Sequence, residues 1–324
     1  MANFPIAGAS VRLSYGWEAT FGTVSGSVNK AFSQGVKLNA FDIDNSVDYI
    51  YGLGSQDAQK SVTKEFKGTW GIEFALSDPW FLRAILGGNP TDGGATPYTH
   101  TYDAVMGISD TMTSMSTVVG FDLDTDSNQT LLGCICNSMT LNAAVGDIIK
   151  VTLDGTFANL DKDTTLDSLV SPVEEPFSFA AASFEIPNAT TIADVQSVEM
   201  SWNRNPKQVF GLGSRTQQKS VATEREWNVR LAATYENDDQ FWDDLLGSTT
   251  APTAIPAEVA TCELTITNGG ASSAMRKFVF LFTDVRVERG AITASTDAVV
   301  NQDITLRARS LSSVIVSNAT QYAL

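Results

Sequence analysis

The sequence carries one stretch twice. Residues 52–62 read GLGSQDAQKSV and residues 211–221, 159 positions later, read GLGSRTQQKSV, so eight of eleven positions are identical. An aromatic precedes each copy (Tyr51, Phe210), strand-like text follows, and each half then shows a short helical signal ending in Leu-Gly. A fixed internal period constrains the fold more than any composition can, because each unit must bury its own apolar face or share it with its twin. Two glycines one residue apart mark a tight turn, since glycine reaches positive φ without steric cost. The polar run after each pair reads as an exposed loop.

With 324 residues there is room for two such units of ordinary domain size. The reading places one domain at residues 1–170, with residues 1–40 as a Gly/Ser/Ala-rich arm that carries WEATFGT at 17–23 and either pairs as a strand or lies on a neighbour. It places the second at 171–324, with a polar linker at 160–176 that contains two prolines. Strand text dominates. Val47-Asp48-Tyr49-Ile50-Tyr51 precedes the first glycine pair, and Trp70, Ile72 and Phe74 alternate on one face of the return strand. Ser77-Asp78-Pro79-Trp80 and Asn237-Asp238-Asp239 read as helix starts, and Gly87 and Gly247 as helix ends. The fold class expected is therefore mainly β: two tandem antiparallel β-sandwich or barrel domains, each with one short helix. The unbroken run Phe278-Val279-Phe280-Leu281-Phe282 suggests a strand covered on both faces or a subunit contact.

Chemistry is sparse. The single histidine, His100, weakens Ser-His-Asp and His-rich metal sites together and reads as a surface or structural residue. Cys134, Cys136 and Cys262 are too few for a disulfide framework and read as buried thiols. The Gly-x-Gly pairs lack the third glycine of a dinucleotide fingerprint and fit no Walker A loop. Asp122, Asp124 and Asp126 resemble the start of a calcium loop, but Ser127 and Gly133 stand where that loop needs Gly and Glu. Glu236, Asp238, Asp239, Asp243 and Asp244 read as dipole complement and solvated face around the second helix, or as part of a charged surface. The chain is read as no enzyme, with no catalytic, cofactor or metal residues.

A formal net charge of −16 leaves no basic patch to displace counterions from nucleic acid. Both halves are acidic. Without a run of 18 apolar residues or a basic, apolar start, the chain reads as soluble, cytoplasm-made and without a membrane partner.

The order strand, loop, strand, short aromatic-faced helix and further strands, with the WEATFGT arm, the GLGS loops and the ILG and LLG helix ends, resembles tail tube proteins of long-tailed bacteriophages. That resemblance implies a β-sandwich with one flanking helix whose sheet joins its neighbours into an inner barrel around a channel. It implies a virion tail protein, made in the host cytoplasm, that polymerises with itself and meets other tail proteins while DNA passes through the lumen without specific binding. Two tandem domains imply pseudo-sixfold rings of three chains, with six-chain rings as the alternative. The acidic balance then suggests a net negative lumen. Intersubunit contacts are expected at Gly52, Gly54, Lys60, Gly211, Gly213 and Lys219 in the loops, and at Trp17 and Phe21 in the arm. A two-domain carbohydrate-binding β-sandwich and an acidic glycosidase remain the other classes. Against the former, Trp70, Trp80, Trp202, Trp227 and Trp242 lie in strand or helix text, which favours packing over sugar stacking.

Overall fold

A computed structural model describes residues 11–318, apart from 25, 94–96, 104–111, 123–126, 164–167, 171–173, 188–190, 193, 236–239, 248–251, 253–254, 257, 271–274 and 296–299. The elements of the first half are β1 (Val11–Trp17), β2 (Lys30–Ala31), β3 (Gln34–Asp44), β4 (Val47–Tyr51), β5 (Ala58–Thr63), β6 (Lys67–Ala75), α1 (Trp80–Leu86), β7 (Thr91–Gly93), β8 (Tyr98–Asp103), β9 (Met115–Phe121), β10 (Ser127–Ala144), β11 (Lys150–Phe157) and β12 (Asn159–Asp163). Those of the second are β13 (Ala182–Glu185), β14 (Val195–Asn203), β15 (Lys207–Phe210), β16 (Gln217–Val221), β17 (Glu226–Thr234), α2 (Gln240–Leu246), β18 (Val259–Thr267), β19 (Arg276–Thr293) and β20 (Asn301–Asn318). The protein is mainly β, as its strand text indicates.

The backbone of the fold is one antiparallel sheet in the order β13-β18-β19-β20-β17-β14-β10-β11-β6-β3. Alternation builds it. In β11, β14 and β17 every second residue is buried, and Trp70, Phe74, Leu153, Leu141, Met200, Trp202, Val229 and Leu306 form one continuous apolar face. Helix α1 covers part of that face with Trp80, Phe81 and Ile85. At its other end Gly87 adopts φ +86 and donates its N–H to the Arg83 carbonyl, and Gly247 at φ +70 bonds Asp243 in the same way. Pro79 stands at the N-cap rather than at the first helical position, and no side-chain hydrogen bond caps this end. The expected cap at 237–239 lies outside the described residues.

Long strands link this sheet to the opposing layer. The first part of β10 pairs with β9 and β12, and its second part with β11 and β14, the change falling at Gly133 (φ +66) and at a bulge between Cys136 and Ser138. Strand β19 repeats the device, pairing first with β18 and the end of β20, then with the start of β20 beyond a bulge between Val287 and Arg289. Its apolar run has Phe278, Phe280 and Phe282 fully buried and the residues between them half-buried, so one face lies in the core.

Of the sandwich and barrel forms expected, the sheet does not close into a barrel within one chain. Of the two roles open to the N-terminal segment, Val11–Trp17 takes that of a strand: β1 lies between β2 and β9, with the Tyr15 ring 5.0 Å from Phe32 and 4.8 Å from Trp80. One expectation needs correction: the start of the supposed linker is strand β12, and Val170 further along bonds to Asn29 and Ala31. Its polar text misled because an exposed edge strand needs little apolar content.

Candidate assembly surfaces

The repeat is structural as well as textual. Strand β6 pairs with β3 and β11, and β17 pairs with β14 and β20 in the same sense. Beyond the sheet each hairpin runs on as a two-stranded arm, β4–β5 in the first half and β15–β16 in the second. The join is built alike: Ser46 (φ 43) and Asn205 (φ 44), 159 positions apart, turn the chain, each N–H bonded to the side chain two residues earlier. The run expected as a loop is in fact strand β5 and strand β16. It escapes a periodicity reading because an arm wet on both faces has no reason to alternate.

The tips are turns of one design. Gly54 and Gly213 adopt φ +84 and +85, a region closed to most side chains, and put Leu53 and Leu212 fully into solvent. Ser55 and Ser214 brace the turns by donating to the carbonyls of Asp57 and Thr216 at 2.8 and 3.1 Å. Gly52 leaves room for the Gln59 side chain, whereas Gly211 is simply exposed. Lys60 and Lys219 lie exposed along the arms, opposite Ile50 and Val209.

Trp17 and Phe21 stand elsewhere. The Trp17 ring is half-buried against Tyr15 with the Arg83 guanidinium 4.6 Å above it, and Phe21 packs beside Gly133. Their loop is held from inside by Glu18, whose buried carboxylate accepts the N–H groups of Gly22 and Gly133 and the hydroxyls of Ser114 and Ser116, all within 2.9 Å. The structure therefore brings the six loop residues onto the two arms and sets these two aromatics apart from them, half-buried beside β1 and β10.

A seam joins the halves. Seven consecutive residues of β10 pair with β14, from Ser138 opposite Asn203 to Ala144 opposite Ser197. Behind it Met139 and Leu141 continue the buried row of Met200 and Trp202, and the Trp202 ring lies 5.8 Å from that of Trp227. Sequence reading missed this seam, since nothing local couples strands so far apart in the chain. At each end of the joined sheet a corresponding edge has no partner among the described residues: the outer side of β3, and the outer side of β19 over residues 286–293. Ile43 and Ile292 stand on these edges 38% and 47% exposed. Such edges are templates for another strand.

The open face of the sheet carries both signs. Lys37 bonds Glu73 at 2.9 Å and Arg307 bonds Glu226 at 3.1 Å, among Thr69, Thr140, Thr152, Thr156 and Ser201. Carboxylates of Asp42, Asp154, Glu199 and Asp303 share the face with these pairs.

The groups singled out for chemistry in the sequence sit in structural surroundings where they are described. Among the described residues no three His, Cys, Asp or Glu side chains are placed to hold a metal. His100 is fully buried with Nδ1 2.6 Å from Asp92, a structural position. Burial pushes all three thiols up, Cys262 to about 12, so none is a nucleophile at neutral pH. Asp122 pairs with Arg12 at 2.8 Å, while Asp124 and Asp126 lie outside the described residues. Trp70, Trp80, Trp202 and Trp227 are buried, so they offer no platform for sugar stacking.

No curated protein matches the chain. A family model described as phage tail tube protein matches residues 8–308, nearly the whole sequence, and the chain accordingly belongs to the phage tail tube protein family.

Proposed function

We propose that this protein is the repeating subunit of a tail tube, in which three chains close each ring, rings stack, and the bore conducts DNA at ejection. The two halves, 1–170 and 171–324, act as two tube domains. The observation that carries the reading is the β10–β14 seam, whose counterparts on β3 and β19, at opposite ends of the same sheet, have no partner among the described residues. A heterologous contact that repeats the internal one closes into a ring when the rotation allows it.

The register follows from the repeat. Residues of β14 lie 159 positions after those of β3, and the bulged residues Asn137 of β10 and Glu288 of β19 lie 151 apart. The pair Ser138–Asn203 then maps onto Arg289 of one chain opposite Asp44 of the next. Leu141–Met200 maps onto Ile292 opposite Phe41, which would cover the exposed isoleucine. Opposite charges and apolar pairs directly across a ladder are the favourable combinations.

With the open face turned inward, the bore is lined by hydroxyls and paired charges. This reading departs from the net negative lumen that composition suggested. Paired charges displace few counterions from DNA, so passage without specific binding follows from balance rather than repulsion. The product sits in the virion tail beside other tail proteins, and the chain is made in the host cytoplasm. Native mass spectrometry of single rings, released from tubes by mild denaturant, tests the stoichiometry. Three chains are expected, and six would reject the reading.

A further inference from the structure

The two arms are alike in build and unlike in surroundings. The second leans over the first half and its tip is bonded there: the Phe66 N–H donates to the Arg215 carbonyl at 2.8 Å, Arg215 Nε donates to the Lys64 carbonyl at 3.0 Å, and Arg215 Nη2 donates to Asn45 Oδ1 at 3.1 Å. The first arm is exposed along both strands, from Val47 to Thr63. Displacing the observed contact by the repeat replaces the tip residue Arg215 with Gln56, and the foot residues Lys64 and Phe66 with Thr223 and Arg225.

From this we infer that the tip of the first arm docks on the foot of the second arm of the neighbouring chain, in the geometry that the second arm shows within its own chain. The contact rests on the ring reading, because only a chain joined through β3 and β19 puts the first arm over a second half. It is continuous with the seam and follows its direction. Between chains the foot presents Arg225 and the tip Asp57, charges of opposite sign.

Paired cysteines test it, since the native thiols are buried and will not compete. Full-length protein carrying Gln56→Cys with Thr223→Cys is assembled into tubes, oxidised gently and run on a denaturing gel. Arg215→Cys with Lys64→Cys, the observed contact, is the reference and closes within one chain. The expected result is a ladder ending at three linked chains for the first pair and a single-chain band for the reference. Tubes of normal width whose first pair stays at one chain, under oxidation that closes the reference pair, overturn the arm contact and leave the ring standing. Linked species longer than three chains overturn it too, since the arms would then bridge rings. Wild-type protein that forms no ring under any condition overturns the ring reading itself.

Discussion

The first arm stands in solvent, whereas the second, with eight of eleven tip residues in common, is partly covered and hydrogen-bonded to the first half. Local sequence cannot explain the difference, because turn, glycine φ values and bracing serines match. Position explains it. The second arm has the first half beside it in the same chain, and in the proposed ring the first arm would find its counterpart in another. The strand edges show the same contrast: Trp202 sits 2% exposed in the closed seam, and Ile43, its repeat counterpart, stands exposed on the open edge.

The largest effect should come from spoiling the open edge. Successive amides of a strand point to alternate sides, so either Ala291→Pro or Ile292→Pro removes a donor that faces outward, and proline is tolerated in strands mainly at edges. The outward one of the two should abolish tube formation, seen by negative-stain microscopy, while the monomer keeps its cooperative melt. If both variants polymerise at wild-type concentration, β19 is not a joining edge.

Next in size, Trp202→Ala in the seam should cost about 3–5 kcal/mol of monomer stability by denaturant titration, the range for removing a buried aromatic. Ile43→Ala should cost the monomer well under about 1 kcal/mol, consistent with an exposed site, and should instead raise the concentration needed for assembly. Equal losses at both positions would erase the distinction between closed and open seams.

A third comparison concerns pH. Burial, assisted by Glu174, pushes the Asp78 carboxyl up to about 7, against the pull of the Trp80 N–H, Ser33 and Arg276. Its counterpart in the second half is the neutral Asn237. The folded state thus holds a proton that the unfolded chain releases near the ordinary carboxylate value of about 4. Stability should fall as pH rises from about 4 to 7 and stay lower above that. Asp78→Asn should flatten this part of the curve and raise the melting temperature at pH 8 more than at pH 5. A larger gain at pH 5 would contradict the assignment.

The smallest effect is expected at Lys60 and Lys219, both exposed on the arms. Exposed ion pairs contribute about 0.2–1 kcal/mol, so Lys60→Glu with Lys219→Glu should leave the monomer melt unchanged and weaken assembly several-fold at low salt. Normal polymerisation would remove both lysines from the contact.

Much of the fold was legible in the residues. The glycine pairs located the tips, Trp70, Ile72 and Phe74 lined up as one face, and Gly87 and Gly247 ended the helices, because each effect is local. What stayed hidden depends on distance or on missing contrast. Ala58–Thr63 is wet on both sides and so shows no alternation. Val11–Trp17 lacks it for the opposite reason, with three successive residues, Ser14 to Gly16, all buried. The β10–β14 seam joins strands about sixty residues apart, and neither announces its partner. The surroundings of Trp17 and Phe21, expected at intersubunit contacts, are also set at a distance: both are half-buried beside a loop that the buried Glu18 holds from within.

The central claim is that the seam inside one chain is repeated between chains. Cryo-microscopy of assembled tubes at side-chain resolution tests it directly. The account predicts three chains per ring, β3 of each chain antiparallel to β19 of its neighbour, and Arg289 facing Asp44 across that ladder. A ring of six chains, or tubes in which the outer sides of β3 and β19 remain unpaired, would contradict it.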